Sequence, residues 1–219
     1  MIDAQFSSAA LPKRGRPRRG TEVARTAALI NAATRVFLRE GYGLASIDKV
    51  ASEAGVSTRT IYERYKNKAD LLGAVISRLV DRMSTVLATA DLNRLEPRVA
   101  LALIADTISS RARDPDAAAL FRIVATESHR FPELALKMRE NNKRCVDAVV
   151  ANYFRAQVAH GVLALADPER AGTLFLHMIC AELHESLLFG GEAAAARLDC
   201  KAHVEHVIDI FLLGATPRK

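Results

Sequence analysis

Apolar residues recur at helical spacing almost throughout the chain. Val and Ile fall three and four apart rather than alternating, a pattern that predicts helices and nearly no strand. A first long helix is expected from about Thr21 to Glu40, with Ala28, Ala32, Val36 and Phe37 as its apolar stripe and Gly41 as its C-terminal stop. Two short helices follow between Ile47 and Tyr65. Val50, Ala54, Val56 and Ile61 stand where such helices bury their faces against each other, and Ala51 is small at their closest approach. Gly55 falls at the turn, where a positive φ costs glycine nothing. Ser46 and Ser57 each precede a helical pattern as N-caps. Asn67 opens a fourth helix, with Asp70 three residues on as an acidic capping box. Lys68 lies in that helix's first turn, a poor place for a cation unless an anion is shared there with the backbone N–H groups.

The remaining two thirds divide at proline signals. Helix starts are expected at Pro97, Asp114–Pro115, Pro132–Glu133 and Asp167–Pro168–Glu169, because proline suits a first turn and a preceding Asp can cap it. The last two helices carry wide apolar faces. Leu174, Phe175, Met178, Ile179, Leu183, Leu187 and Leu188 crowd one, and Val204, Val207, Ile208, Phe211 and Leu212 the other. Such faces near a chain terminus suit a four-helix dimer interface, with Leu174, Phe175, Met178, Leu187, Val204, Ile208 and Phe211 as its candidates. Ordinary core within one chain is the alternative.

Charge changes this picture of a plain helical protein. The whole chain carries 31 Lys+Arg against 25 Asp+Glu. Counting residues 1–80 gives 14 basic and 7 acidic, while residues 81–219 hold 17 and 18. The excess is thus confined to the part with the two short helices, a distribution that a phosphate backbone selects, since neutralising phosphates releases counterions. A stretch of this spacing reads as a helix-turn-helix, whose second helix, roughly Thr58 to Arg64, enters a DNA major groove. Upstream, Arg14 to Pro17 sits in the basic run from Lys13 to Gly20 and resembles an AT-hook arm, in which arginines such as Arg14 and Arg16 lie in a narrow minor groove. A solvated tail is the alternative for this segment.

Other classes find little support. The most apolar window, Ala171 to Ala181, is too short to span a bilayer, and the N-terminus lacks the apolar core of a signal peptide. Cys145, Cys180 and Cys200 are odd in number and widely spaced, which argues against a disulfide framework or zinc site and fits a reducing, cytoplasmic setting. His177 and His184, or His203 and His206, have the spacing of a ligand pair, but no HExxH motif or cysteine pair accompanies them, so interface or partly exposed histidines are the reading. There is no Gly-rich phosphate loop after a strand and no nucleophile elbow. No cofactor, metal or catalytic role is expected, and the chain is not read as an enzyme.

Phe37, Gly41–Tyr42, Ser46–Ile47, Val50–Ala51, Ala54 to Ser57, Tyr62 with Tyr65, Lys68 and Leu71–Leu72 together resemble the DNA-binding domain of TetR/AcrR-family transcriptional regulators. Tyr65 replaces the usual Phe, and Arg59 stands where the family often has Gly. Phe121 to Glu140, with Glu127, His129, Arg130, Phe131, Pro132, Glu133 and Leu134, is similar to the C-terminal domain of an AefR-like branch. The resemblance implies an all-α fold of about nine helices, with an N-terminal three-helix helix-turn-helix domain followed by a helical ligand-binding and dimerisation domain. Its last two helices would pair with a partner chain. The chain then divides into a disordered basic arm at 1–20, the DNA-binding domain at 21–66 and the regulatory domain at 67–214.

Within that frame Arg59, beside Thr58, is expected to read guanine bidentately, while Ser46, Tyr62 and Lys68 touch phosphate. Ser57, Thr60 and Tyr65 complete the candidate DNA surface. A pocket among the fourth to eighth helices would be lined by Met83, Leu87, Ile104, Ile108, Phe121, Met138, Asn142, Cys145 and Val149, residues that also look like plain core. The function expected is a ligand-responsive regulator, most simply a repressor, binding a palindromic operator as a homodimer and released by a small hydrophobic or amphipathic effector. An architectural DNA binder without ligand input is the alternative, and a helical enzyme is disfavoured by the missing catalytic constellation.

Overall fold

The helical periodicity becomes ten α-helices among the described residues of the computed structural model, namely residues 19–190, 195 and 197–216, and no strand occurs among them. Helix α1 (Arg19–Leu44) buries Leu29, Ile30, Ala32, Ala33, Val36 and Phe37. Ala28, expected on that stripe, is exposed instead. Ala32, Val36 and Phe37 are buried as expected, and Leu29, with more apolar area than Ala28, takes the first position. Gly41 breaks the helical backbone with φ 74 and ψ 171, and a last turn carries the chain to Leu44.

Helices α2 (Ile47–Ala54) and α3 (Thr58–Tyr62) then pack on α1, and α4 (Lys68–Thr89) runs on from them. Their shared core holds Val50, Ala51, Ile61, Leu71, Leu72, Val75 and Ile76. It does not stop at residue 66. Leu120, Val124 and Leu134 join it from α6 (Pro115–Glu127) and α7 (Glu133–Asn142). Those helices therefore grip the N-terminal helices through packing as well as through the chain connection.

A second core lies among α5 (Pro97–Ala112), α8 (Ala148–Ala159), α9 (Pro168–Phe189) and α10 (Cys200–Ala215). Phe154 stacks on Phe211 at 5.2 Å, and Phe175 meets Phe211 edge-on at 5.2 Å, tying α8, α9 and α10 together. The starts follow the local chemistry. Asp114, Asp167 and Asp199 each accept the N–H three residues on, at 3.1, 2.9 and 3.0 Å, and Pro97, Pro115 and Pro168 occupy first turns. Between α7 and α8 the backbone stays helical through a π turn at Lys143–Asp147. Counted as one rod, α7 to α8 brings the described helices to the nine expected.

Candidate nucleic-acid interface

Local sequence builds the reading head. Ser46 accepts the Lys49 N–H at 3.2 Å to start α2. Gly55 ends it at φ 64, ψ 34, with its own N–H on Ser52 O and the Val56 N–H on Ala51 O at 3.0 Å, a Schellman closure. Ser57 then caps α3 by accepting the Thr60 N–H at 3.2 Å, and its hydroxyl shares a hydrogen bond with that of Thr60. Ile61 is wholly buried while Arg59 and Tyr62 point outward, so a single turn both anchors the helix and presents its outer face. The Arg59 side chain is 88% exposed, with Glu63 beside it at 3.1 Å. Thr58 and Thr60 are half-buried, and the half-buried Tyr65 packs on the first core.

Ion pairs fix the head on its support. Glu53 of α2 meets Arg35 at 2.6 Å and Arg39 at 3.0 Å, and Lys49 meets Glu40 at 2.5 Å. The Lys49 ammonium holds the Glu40 carboxyl below its usual range, and Arg35 does the same for Glu53. Each exposed pair contributes little to stability. Together they neutralise Glu40 of α1 and Glu53 of α2. Arg64 joins Thr26 and Glu22, tying the end of the reading segment to the start of α1.

Lys68 lies against the turn that leads into α2. Its ammonium turns inward, donating to Tyr42 O at 2.6 Å and Ala45 O at 2.9 Å and lying 4.3 Å from the Tyr42 ring. Burial lowers its pKa. The carbonyls of the turn after Gly41 hold the cation against the start of α2. Asn67 caps α4 as expected, accepting the Asp70 N–H at 2.8 Å. Arg14 and Arg16 lie outside the described residues.

Of the candidate pocket residues, four share the second core and the others described lie elsewhere. Leu87, Ile104 and Ile108 are buried in the second core with Val149 against it, Met138 packs on the first, and Phe121 stacks on His184. Asn142 is exposed; its neighbour Asn141 is the buried amide, donating to Gly73 O at 3.3 Å and Lys137 O at 3.0 Å. One residue of helical rotation separates those two environments. The side chains of Met83 and Cys145 lie outside those described. A cavity of about 300 Å³ lies instead between α5 and α10, lined by Asp106, Ser109, Arg113, Lys201 and Glu205 among others.

The candidate dimer residues divide too. Phe175, Val204 and Ile208 are buried in the second core and Leu187 in a smaller cluster with Ala118 and Leu183, while Phe211 and Met178 are half-buried. Leu174 is half exposed, and Leu188 and Phe189 of α9 and Ile210 and Leu213 of α10 are exposed too. His203 spends both ring nitrogens, on Met178 O at 2.9 Å and Glu182 at 3.1 Å, and His177 and His206 are exposed. Among the described residues no group of three His, Cys, Asp or Glu is placed to hold a metal.

Two family models match this chain. The AefR-like transcriptional repressor C-terminal domain matches residues 99–214, just over half of it, and the tetR-family bacterial regulatory protein model matches residues 29–75. The chain belongs to the TetR family. It is 30% identical over 126 residues to the transcriptional activator FasR of Mycolicibacterium smegmatis, covering 55% of each chain. With the DNA-binding transcriptional repressor TetR of Mycobacteroides abscessus it shares 46% identity over 52 residues, 24% of this chain and 27% of that one. The chain thus spans about half or less of these curated relatives. Over nearly its whole length it is similar to the solved flavonoid-responsive regulator FrrA, at 27% identity and a TM-score of 0.72, covering 90% of this chain and 100% of that one. A TetR-family regulator from Mesorhizobium loti shares the fold at TM-score 0.74 and 21% identity, covering 92% and 100%. The tetR-family model covers α2 and α3, which correspond to the helix-turn-helix of that family's DNA-binding domain. Among the described residues no helix is long and apolar enough to cross a membrane.

Proposed function

We propose that the chain is a ligand-responsive regulator that binds a palindromic operator as a homodimer and is released by a small hydrophobic or amphipathic effector. The observation that carries the DNA side is the solvent-directed Arg59 on a helix whose opposite face is locked by Ile61. Arg59 and Thr58 read base edges, while Ser46, Ser57, Thr60, Tyr62 and Tyr65 position the head on phosphates. Arg14 and Arg16, in the basic run upstream of α1, follow the adjoining minor groove. Leu174, Leu188, Ile210 and Leu213 supply the contact between copies, since an apolar surface of this kind on two adjacent helices suits a four-helix seam.

The effector reading draws on the likeness to FrrA, a flavonoid-responsive protein over whose full length the similarity runs, and on a regulatory part far larger than DNA clamping needs. Repression is the simplest mode. FasR, an activator, supports a second reading in which the bound regulator recruits transcription rather than blocking it. Fluorescence anisotropy on a duplex selected from random DNA by the protein tests the effector claim, with flavonoids and small amphipathic compounds as probes. Release by a member of either class is the expected result. Affinity moved less than about twofold by every probe would overturn ligand response through these classes, since allosteric coupling is typically 5–150-fold.

A further inference from the structure

The stretch around Glu127 marks the AefR-like resemblance, yet nothing above gives that carboxylate a task. Glu127 ends α6 and reaches across 85 residues of sequence to the turn that leads into the helix-turn-helix. Its Oε1 accepts the Tyr42 N–H at 2.8 Å and its Oε2 accepts the Gly43 N–H at 2.7 Å. One carboxylate taking two successive backbone donors is a charge-assisted, geometrically specific clamp. It sits where Gly41 breaks the helical backbone and turns the next amides out of the ladder. The fit is tight. A Cβ on Gly41 would lie 2.7 Å from Oε1, at a φ of +74 that side chains rarely adopt, and one on Gly43 would lie 3.2 Å from Oε2.

The same turn is held from two further sides. The Tyr42 ring packs edge-on against Phe131 at 5.1 Å, and its hydroxyl donates to Glu133 at 3.2 Å. From α4, Lys68 donates to the carbonyls of Tyr42 and Ala45. Ser46, the cap of α2, follows at once. The direction in which α2 and α3 leave the support is therefore set by residues 42–45, and α6 grips those residues without passing through α4.

We propose that Glu127 is a positioning residue for DNA reading: its clamp on Tyr42 and Gly43 fixes the pose of the helix-turn-helix and makes α6 a second line of transmission to it, beside α4. Withdrawal of the carboxylate frees the entry turn and with it the tilt of α3. The use made of this line rests on the ligand-responsive reading, but the clamp itself does not.

The test uses the full chain and no effector, so its failure leaves that reading untouched. Glu127→Gln keeps the size but sets an amide NH2 against one of the two N–H groups. Amide exchange followed by NMR should quicken about tenfold at Tyr42 and Gly43, with Val36 and Phe37 in α1 unchanged. Affinity for the selected duplex should fall about 5- to 10-fold. The slope of log K on log salt should stay as in the parent, because every phosphate-facing side chain is kept. Gly41→Ala, which expels the carboxylate sterically, should reproduce both effects, and the double variant should be no worse than the worse single one. Faster exchange at 42 and 43 with parental affinity would reduce Glu127 to a local anchor and overturn the proposal. Unchanged exchange there, or protection abolished throughout α1, would overturn it equally.

Discussion

Replacing Arg59 with Ala separates reading from folding. The side chain is 88% exposed and its partner Glu63 is itself 60% exposed, so nothing in the core depends on it. Stability should stay within about 0.5 kcal/mol of the parent, as for surface changes away from caps and cores. On DNA the guanidinium would face a guanine edge with two donors, an interaction giving roughly 1–3 kcal/mol of discrimination, or about 5- to 150-fold in Kd. Glu63 is left facing DNA unpaired, so the double variant with Glu63→Gln isolates the arginine. The assay is anisotropy on the selected duplex and on a set with each G·C pair changed singly. The parent should be penalised at every read position, and Arg59→Ala should lose the penalty at one. Its salt slope should not change, whereas removing a cation from a phosphate flattens the slope by about 0.9. An alanine variant with parental affinity and every penalty intact would refute the assignment; one weakened equally on all sequences, with a flatter slope, would place Arg59 on a phosphate instead.

Other expectations follow from exposure, backbone and charge. Ile210→Arg with Leu213→Arg, at positions 49% and 81% exposed, should leave each chain folded but shift sedimentation to the monomer and weaken operator binding, whereas a charge at fully buried Phe175 should unfold the chain. Gly55→Ala meets no atom within 4 Å, so its thermal-melt penalty should be the left-handed backbone cost alone, about 1–2 kcal/mol, with Gly55→Asn milder. His184 stacks on Phe121 at 4.2 Å, and burial, then the nearby His177, lowers its pKa. The unfolded chain binds that proton more readily, so stability should be full above about pH 6.5 and fall as pH drops through it, a limb that His184→Gln should flatten in urea melts. Deleting residues 1–18 removes Lys13, Arg14, Arg16 and Arg18, and should make the salt slope of DNA binding shallower by about 0.9 for each phosphate these cations neutralise.

What could be read in the sequence was short-range. The caps at Ser46, Ser57, Asp114 and Asp167, and the turn glycines Gly41 and Gly55, act within three or four residues and landed where their chemistry placed them. Faces were harder. Leu174 and Phe175 are adjacent and equally apolar, yet one is half exposed and the other wholly buried, because the aromatic cluster with Phe154 and Phe211 is fixed by three helices at once. The same one-residue ambiguity put Ala28 for Leu29 and Asn142 for Asn141. Lys68 looked like a misplaced cation because its partners, the carbonyls of Tyr42 and Ala45, lie more than twenty residues away. Glu127 carried no local signal, since its task exists only once α6 meets the turn after α1.

The central claim is that two copies of this reading head sit side by side on one palindrome. Hydroxyl-radical footprinting of the selected duplex, on samples whose stoichiometry is fixed by sedimentation, tests it most directly. Two chains should protect two major-groove faces about one helical turn apart, roughly 34–36 Å, with added minor-groove protection from the arms. A single protected groove bound by one chain at full affinity would contradict the account.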